Sequence, residues 1–520
     1  MRMRGGASVA AAVLFGVAMV GTARGAEHPL KLNEAIMFAL EKNEDLVIEH
    51  ESVNAAEADV QAASGVYDPE LGVDGTWSKL KPPINSSFAG APPGELASET
   101  ETTDVGIGLR QYLPTGGELA LRGGGSRGTT DDTFTLLSPA YDTNAGVAFR
   151  QPLLRDLTID AERLGIKVAK AGRQGAEASL RRTVSETVAS VERAYWLLTA
   201  VRLGVAVREE AVELANEQLG ETETRVQAGV APQTEIAQPR AELERRRGEL
   251  LDARELLVRA EDNLKQLILA DTDDELWRSQ LVPVDSVGVE IHSVNVDSAL
   301  AQALAIRPEL AEDAAVIEQR KAEAAFARSG VWPALDLVAV YDRYGLAGSQ
   351  NPNGPQDPIP YQVDGDLGDS FDTLADGDFH SARVGLALEL PILNREAKGR
   401  RAAAESFQKQ AEAELTRTRK SIRAEVLDAA ARVETASQRI DAARSGREAA
   451  EIQLSAERDR FASGLSTNFL VLTRQNDLSA ARLDEIRAIT DYRTARTEMA
   501  RASGTLIEER GIQVSTEEND

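Results

Sequence analysis

The chain has 520 residues, a formal net charge of -26, 4% aromatic and 27% charged residues, and no cysteine. The charge argues against nucleic acid as a partner, and the scarcity of aromatics suits long solvated helices better than compact cores. Without cysteine there are no disulfides, thiolate metal sites or lipid-bearing N-terminal Cys.

Arg2 and Arg4, the apolar run from Ala7 to Val20, and the small-x-small tripeptide Ala23-Arg24-Gly25 read as a cleaved signal peptide over residues 1–25. The apolar run is too short to span a bilayer comfortably. No later segment reaches the roughly 18 to 20 apolar residues of a transmembrane helix, so any membrane crossing must be made by strands.

Residues 26–270 form a first repeat. A capped helix begins at Asn33-Glu34-Ala35-Ile36, and Gly65-Val66-Tyr67-Asp68-Pro69 ends a helix and opens a strand. Leu71, Val73 and Trp77 then alternate with Glu70, Asp74 and Thr76. Val105, Ile107 and Leu109, a turn at Pro114-Thr115-Gly116-Gly117, and Leu119 and Leu121 read as an extra hairpin. The sequence does not fix whether it joins the sheet or lies outside it. Gly123-Gly124-Gly125-Ser126-Arg127-Gly128 has the spacing of a nucleotide-binding glycine motif, but no helix follows to receive a phosphate, so it reads as a flexible loop. Ala145, Val147 and Phe149 alternate up to the corner Phe149-Arg150-Gln151-Pro152-Leu153-Leu154. A helix then runs from Leu157 to Ala228, roughly 105 Å at 1.5 Å per residue, with Val184, Val188, Val191, Tyr195 and Leu198 along one stripe.

RVQAGVAPQTEI, from Arg225 to Ile236, interrupts that helix. Gly inside a helix costs about 1 kcal/mol and Pro about 3 kcal/mol, so Gly229 is read as a C-cap, Pro232 as part of the next first turn, and the whole as a hairpin. Beyond it Ile236, Leu243, Leu250, Leu257 and Leu264 recur in heptads, with Ala253, Ala260 and Leu267 at complementary positions.

Residues 271–296 read as a mixed linker, and residues 297–504 as a second repeat of the same order. Asp297-Ser298-Ala299-Leu300 echoes the first helix, Gly330-Val331-Trp332-Pro333 the first corner, and Glu389-Leu390-Pro391-Ile392-Leu393 the second. Val384, Leu386, Leu388 and Leu390 alternate as a strand, and Arg460 to Val471, RFASGLSTNFLV, echoes the helical break. The stretch from Asn351 to Asp378 reads as a loop; Asp364, Asp366, Asp369, Asp372, Asp376 and Asp378 within it lack the spacing of a calcium loop and suit an acidic surface. Residues 505–520 read as a polar tail. Four scattered histidines make no metal pattern, and no catalytic, metal or cofactor site is read.

SGVYDPEL and SGVWPAL at the helix-to-strand corners, RQPLL and ELPIL at the strand-to-helix corners, and AGVAPQTEI with SGLSTNFLV inside paired helices together resemble the TolC-like outer-membrane efflux proteins, from about Leu30 to Gly504. The resemblance implies an α+β chain of predominantly long helices, three copies of which close an outer-membrane β-barrel continued by a periplasmic α-helical barrel. It also implies the passive outlet of a tripartite exporter, working with a periplasmic adaptor and an inner-membrane transporter. Carried over by position, Gly229, Val230, Pro232, Gly464 and Leu465 mark adaptor-docking tips.

At the entrance, some members use a Tyr to Asp hydrogen bond, an Arg-centred contact and two acids. The matching positions here are Phe461 facing Glu235, Ser466 for the Arg, and Leu470 and Thr473 for the acids. Phe461 has no hydroxyl and Ser466 no guanidinium, so a more apolar closure using Phe461, Phe469 and Leu470 is expected. The alternative from a different class is a soluble periplasmic coiled-coil adaptor or scaffold.

Overall fold

The computed structural model describes residues 27–86, 90–286 and 288–513, so the signal peptide reading lies outside the described residues. The chain begins with strand β1 (Glu27–Leu30) and helices α1 (Leu32–Lys42) and α2 (Glu44–Ser64). Strands β2 (Glu70–Leu80), β3 (Thr100–Tyr112), β4 (Glu118–Thr130) and β5 (Leu137–Pro152) lead into α3 (Ala161–Gln227) and α4 (Ala237–Ile268). After β6 (Gln280–Pro283) come α5 (Val296–Ile306), α6 (Pro308–Ser329), β7 (Ala334–Gln350), α7 (Leu367–Asp376) and β8 (Phe379–Glu389). The chain closes with α8 (Arg395–Ala462), α9 (Asn468–Ser503) and α10 (Leu506–Glu509).

Local chemistry sets these boundaries. Asp160 caps α3 by accepting from the Arg163 N–H at 2.7 Å, Asn295 caps α5 through the Ser298 N–H at 3.1 Å, and Pro308 occupies the first turn of α6. Val184, Val188, Val191, Tyr195 and Leu198 are all buried, so the expected stripe of α3 is its packing face. It meets Leu264 and Ile268 of α4, with Leu30 and Leu281 from β1 and β6, in one apolar cluster. A second, alanine-rich cluster joins α5, α8 and α9 around Ile422, Val426, Val433, Ile440 and Tyr492. Alanine lets helices approach closely, which is the geometry of a coiled seam.

Two tyrosines staple the linker between the repeats. The buried Tyr195 hydroxyl donates to the Leu30 carbonyl at 3.0 Å and to Asp285 at 2.5 Å; burial, then the Asp285 carboxylate, push its pKa well above the ordinary phenol value. The Tyr492 hydroxyl accepts from the His292 N–H at 3.2 Å. The C-terminal residues read as a polar tail begin with packed ones: Leu506 is buried in the first cluster, and Arg510 reaches the buried Glu192 at 2.5 Å.

Six strands form one antiparallel sheet in the order β2-β3-β4-β5-β7-β8. The hairpin read between Val105 and Gly123 therefore lies inside the sheet. Its GGGSRG run is strand, not flexible loop, because Gly123 to Gly128 pair residue for residue with β3 and β5. Following the register, Leu71, Leu109, Leu121, Val147 and Tyr341 share one face, while Gly72, Gly108, Arg122, Gly146 and Asp342 share the other. The first face is apolar and open: Leu71, Val73, Val384 and Leu386 are each at least 66% exposed. The second is polar, with Arg122 paired to Asp342 and Arg150 to Asp336, each at 2.7 Å.

The stretch expected to be a loop between β7 and β8 contains α7. Asp366 caps it through the Gly368 N–H at 2.7 Å, and Asp369 returns a bond to the Asp366 N–H at 2.7 Å. The helix rests on the apolar face of the sheet, where Thr143 donates to the Ser370 carbonyl at 3.0 Å. It fits there because Gly345 has no side chain: a Cβ would lie 2.0 Å from the Ser370 oxygen.

Candidate functional site: the helical tips

α3 and α8 end in the same way. Gly229 and Gly464 both adopt φ +74°, a conformation that L side chains resist. The Val230 N–H donates to the Arg225 carbonyl and the Gly229 N–H to the Val226 carbonyl, both at 3.0 Å. In the second tip Leu465 donates to Arg460 at 2.8 Å and Gly464 to Phe461 at 3.0 Å. These paired bonds are a Schellman motif in each repeat. A Cβ on either glycine would meet nothing within 4 Å, so dihedral angle and not space selects glycine. Both turns hold an aliphatic side chain out to solvent, Val230 at 67% and Leu465 at 81% exposure.

Pro232 sits differently from the expectation. It is extended, at φ -72° and ψ 149°, ahead of a short 3-10 turn over Gln233–Ile236, and the proline inside the first turn of α4 is the buried Pro239. The second tip has no such turn, and α9 starts directly after its cap, Thr467.

The residues aligned with an entrance lock take other partners within the chain. Phe461 is half-buried on a small cluster of Ala450, Leu454, Val471 and Leu478, and the Arg225 guanidinium lies 5.1 Å from its ring centre. Glu235 is exposed, and among the described residues its carboxylate makes no hydrogen bond or ion pair. The Ser466 hydroxyl donates to Glu457, and the Thr473 hydroxyl donates to the Phe469 carbonyl of its own helix at 2.8 Å. Phe469 is 59% and Leu470 39% exposed, leaving an apolar pair open at the start of α9.

Sequence reading missed Arg225, which looks like one more solvated charge until the end of α3 brings it against the Phe461 ring at the end of α8. It also missed a poorly satisfied polar seam. Asn468 donates weakly to Thr222 at 3.4 Å; among the described residues its own Oδ1 has no partner, and neither has Nε2 of the buried Gln218. Just inside the first tip, Glu242 lies between Arg245 at 2.5 Å and Arg246 at 2.9 Å. Burial pushes its carboxyl up, and the two guanidinium groups more than offset this, holding it below the ordinary glutamate value.

Among the described residues no group of three or more His, Cys, Asp or Glu could hold a metal ion, and no helix is long and apolar enough to cross a membrane. The apolar face of the sheet is open, as a surface meeting lipid would be. The family model for outer membrane efflux proteins matches residues 118–268 and 299–505, most of both repeats. The chain belongs to the outer membrane efflux protein family.

Solved structures share the fold. The Campylobacter jejuni CmeC outer membrane channel is 18% identical, with a TM-score of 0.65 over 91% of this chain and 86% of that one. VceC, an outer membrane protein of Vibrio cholerae, is 16% identical, with a TM-score of 0.62 over 91% of this chain and 96% of that one. The open state of the Neisseria gonorrhoeae MtrE outer membrane channel is 17% identical, with a TM-score of 0.62 over 91% and 89%. Comparison with curated protein sequences returns no match. For this outer membrane efflux protein, the sheet is the membrane part and the long helices are the periplasmic part.

Proposed function

We propose that three copies of this efflux protein close one barrel in the outer membrane and continue it as a helical duct, through which substrates leave passively. An inner-membrane transporter supplies the energy, and a periplasmic adaptor joins it to the helical tips. The observation that carries this reading is the sheet: one face is apolar and open, the other is lined with paired charges, and among the described residues the outer side of each edge strand pairs with nothing. A soluble scaffold would gain nothing from exposing that face to water.

The adaptor sites in this reading are the two Schellman turns, Gly229, Val230 and Pro232 with Gly464 and Leu465, whose side chains project where a partner helix can cover them. The entrance is narrowed by Phe461, Phe469 and Leu470, with Glu235, Ser466 and Thr473 beside them. Export of this kind makes and breaks no covalent bond.

Detergent extraction followed by size determination and planar-bilayer conductance tests the proposal. A conducting trimer is expected. A monomer released without detergent, or a trimer that never conducts, would overturn it.

A further inference from the structure

The duplication offers an internal reference for the membrane region. The second repeat supplies two strands to the sheet, β7 and β8, and the first supplies four. The difference is the single hairpin of β3 and β4, closed at Pro114-Thr115-Gly116-Gly117. We infer that this hairpin is an insertion that widens the outer-membrane pore, so that three six-stranded copies close a barrel of 18 strands instead of the 12 that two strands per repeat would give.

The inference rests on the trimer proposed above and adds the width of its opening. A hairpin adds two strands, so it leaves the direction of every other strand unchanged. β2 and β8 therefore still run in opposite directions at the two edges, and β2 of one copy can pair antiparallel with β8 of the next. Both edges are 11 residues long; β2 is exposed along its whole length and β8 at every residue but the half-buried Ser381, as unpaired edges of matching size.

The hairpin is also built into both faces of the wall. Ile107 and Leu109 continue the apolar face, and Arg122 of β4 reaches across β5 to Asp342 of β7, in the other repeat, at 2.7 Å. A flap outside the barrel would have neither the continuous register through β5 nor that cross-repeat ion pair. Barrel diameter grows roughly in proportion to strand number, so going from 12 to 18 strands enlarges the cross-section roughly twofold, to a size that holds an open aqueous channel. The membrane section then admits bulky solutes, and the size limit falls to the helical end.

Imaging the detergent-extracted wild-type trimer and counting strands tests this directly. Eighteen strands are expected; a ring of 12 with the hairpin folded outside overturns the inference while leaving the trimer standing. A particle that is not a trimer overturns both.

A second measurement needs no deletion. The chain has no cysteine, so Gly106→Cys is a unique label site; it should react with a membrane-impermeant thiol reagent from the pore, while Ile107→Trp should be quenched by brominated lipid. Failure of that alternation in the membrane-inserted protein overturns the placement. In a variant lacking residues 100–130 that still assembles, the size cut-off for polyethylene glycols entering from the outer side should fall by about a third in diameter. An unchanged cut-off overturns the widening.

Discussion

At the tips the two repeats are alike to the level of single bonds: a glycine at φ +74°, the same two carbonyls taken up, and one aliphatic side chain pushed outward. In the sheet they differ by a whole hairpin on one side and by a helix, α7, on the other. The contrast follows from what each region must satisfy. A helix reversal in two residues has few backbone solutions, so duplicated copies stay the same. A sheet tolerates any even number of added strands, and the loop between β7 and β8 can fold freely provided that the surface beneath it makes room.

The largest effect should come where the repeats differ. Gly345→Val should displace α7, because even a Cβ collides with the Ser370 carbonyl. We expect a local cost of about 3 kcal/mol, read as new proteolytic cleavage between residues 351 and 378 with the trimer intact. Unchanged protection would mean that α7 does not rest on the sheet.

The tips should respond equally. Gly229→Ala and Gly464→Ala should each destabilise by about 1–2 kcal/mol in chemical denaturation, since open space leaves only the dihedral penalty. A neutral result at one site alone would break the equivalence of the repeats. Phe461→Leu should cost about 0.5–1 kcal/mol through loss of the Arg225 contact, with Val226→Leu, at the matching position of the first tip, close to neutral.

The smallest effect is one of pH. The Glu242 carboxyl is held below its ordinary value of 4.5, so its contribution is complete above that pH and fades as pH falls through the lower folded value. Melting curves of wild type and Glu242→Gln should differ at pH 7 and converge on acidification; a constant gap would point to lost packing instead.

Much of this architecture was legible because it repeats or has a period. Val184 to Leu198 and Leu243 to Leu264 show spacings that only a buried helical stripe explains, and Gly229 with Gly464 marks both reversals. What was hidden lacks side-chain pattern. Gly123 to Gly128 carries almost no alternation to read, yet pairs as strand because both neighbours supply register. α7 is short and rich in aspartate, and its seat exists only once β5 and β7 are adjacent. The site residues followed the same division. Backbone-defined positions could be placed, whereas the partner of Phe461 depended on which helix end comes to the end of α8, and the tie between Tyr195 and Asp285 spans 90 residues.

That tie also fixes one point along α3. From Tyr195, held at the linker by its buried hydroxyl, the helix continues without interruption to Gln227, about 48 Å at 1.5 Å per residue. Turning the rod by about 5° around that point carries its far end sideways by about 4 Å, more than the width of a water molecule. In the proposed duct, small angles at the waist would be enough to change the aperture, with every backbone bond of the helix kept.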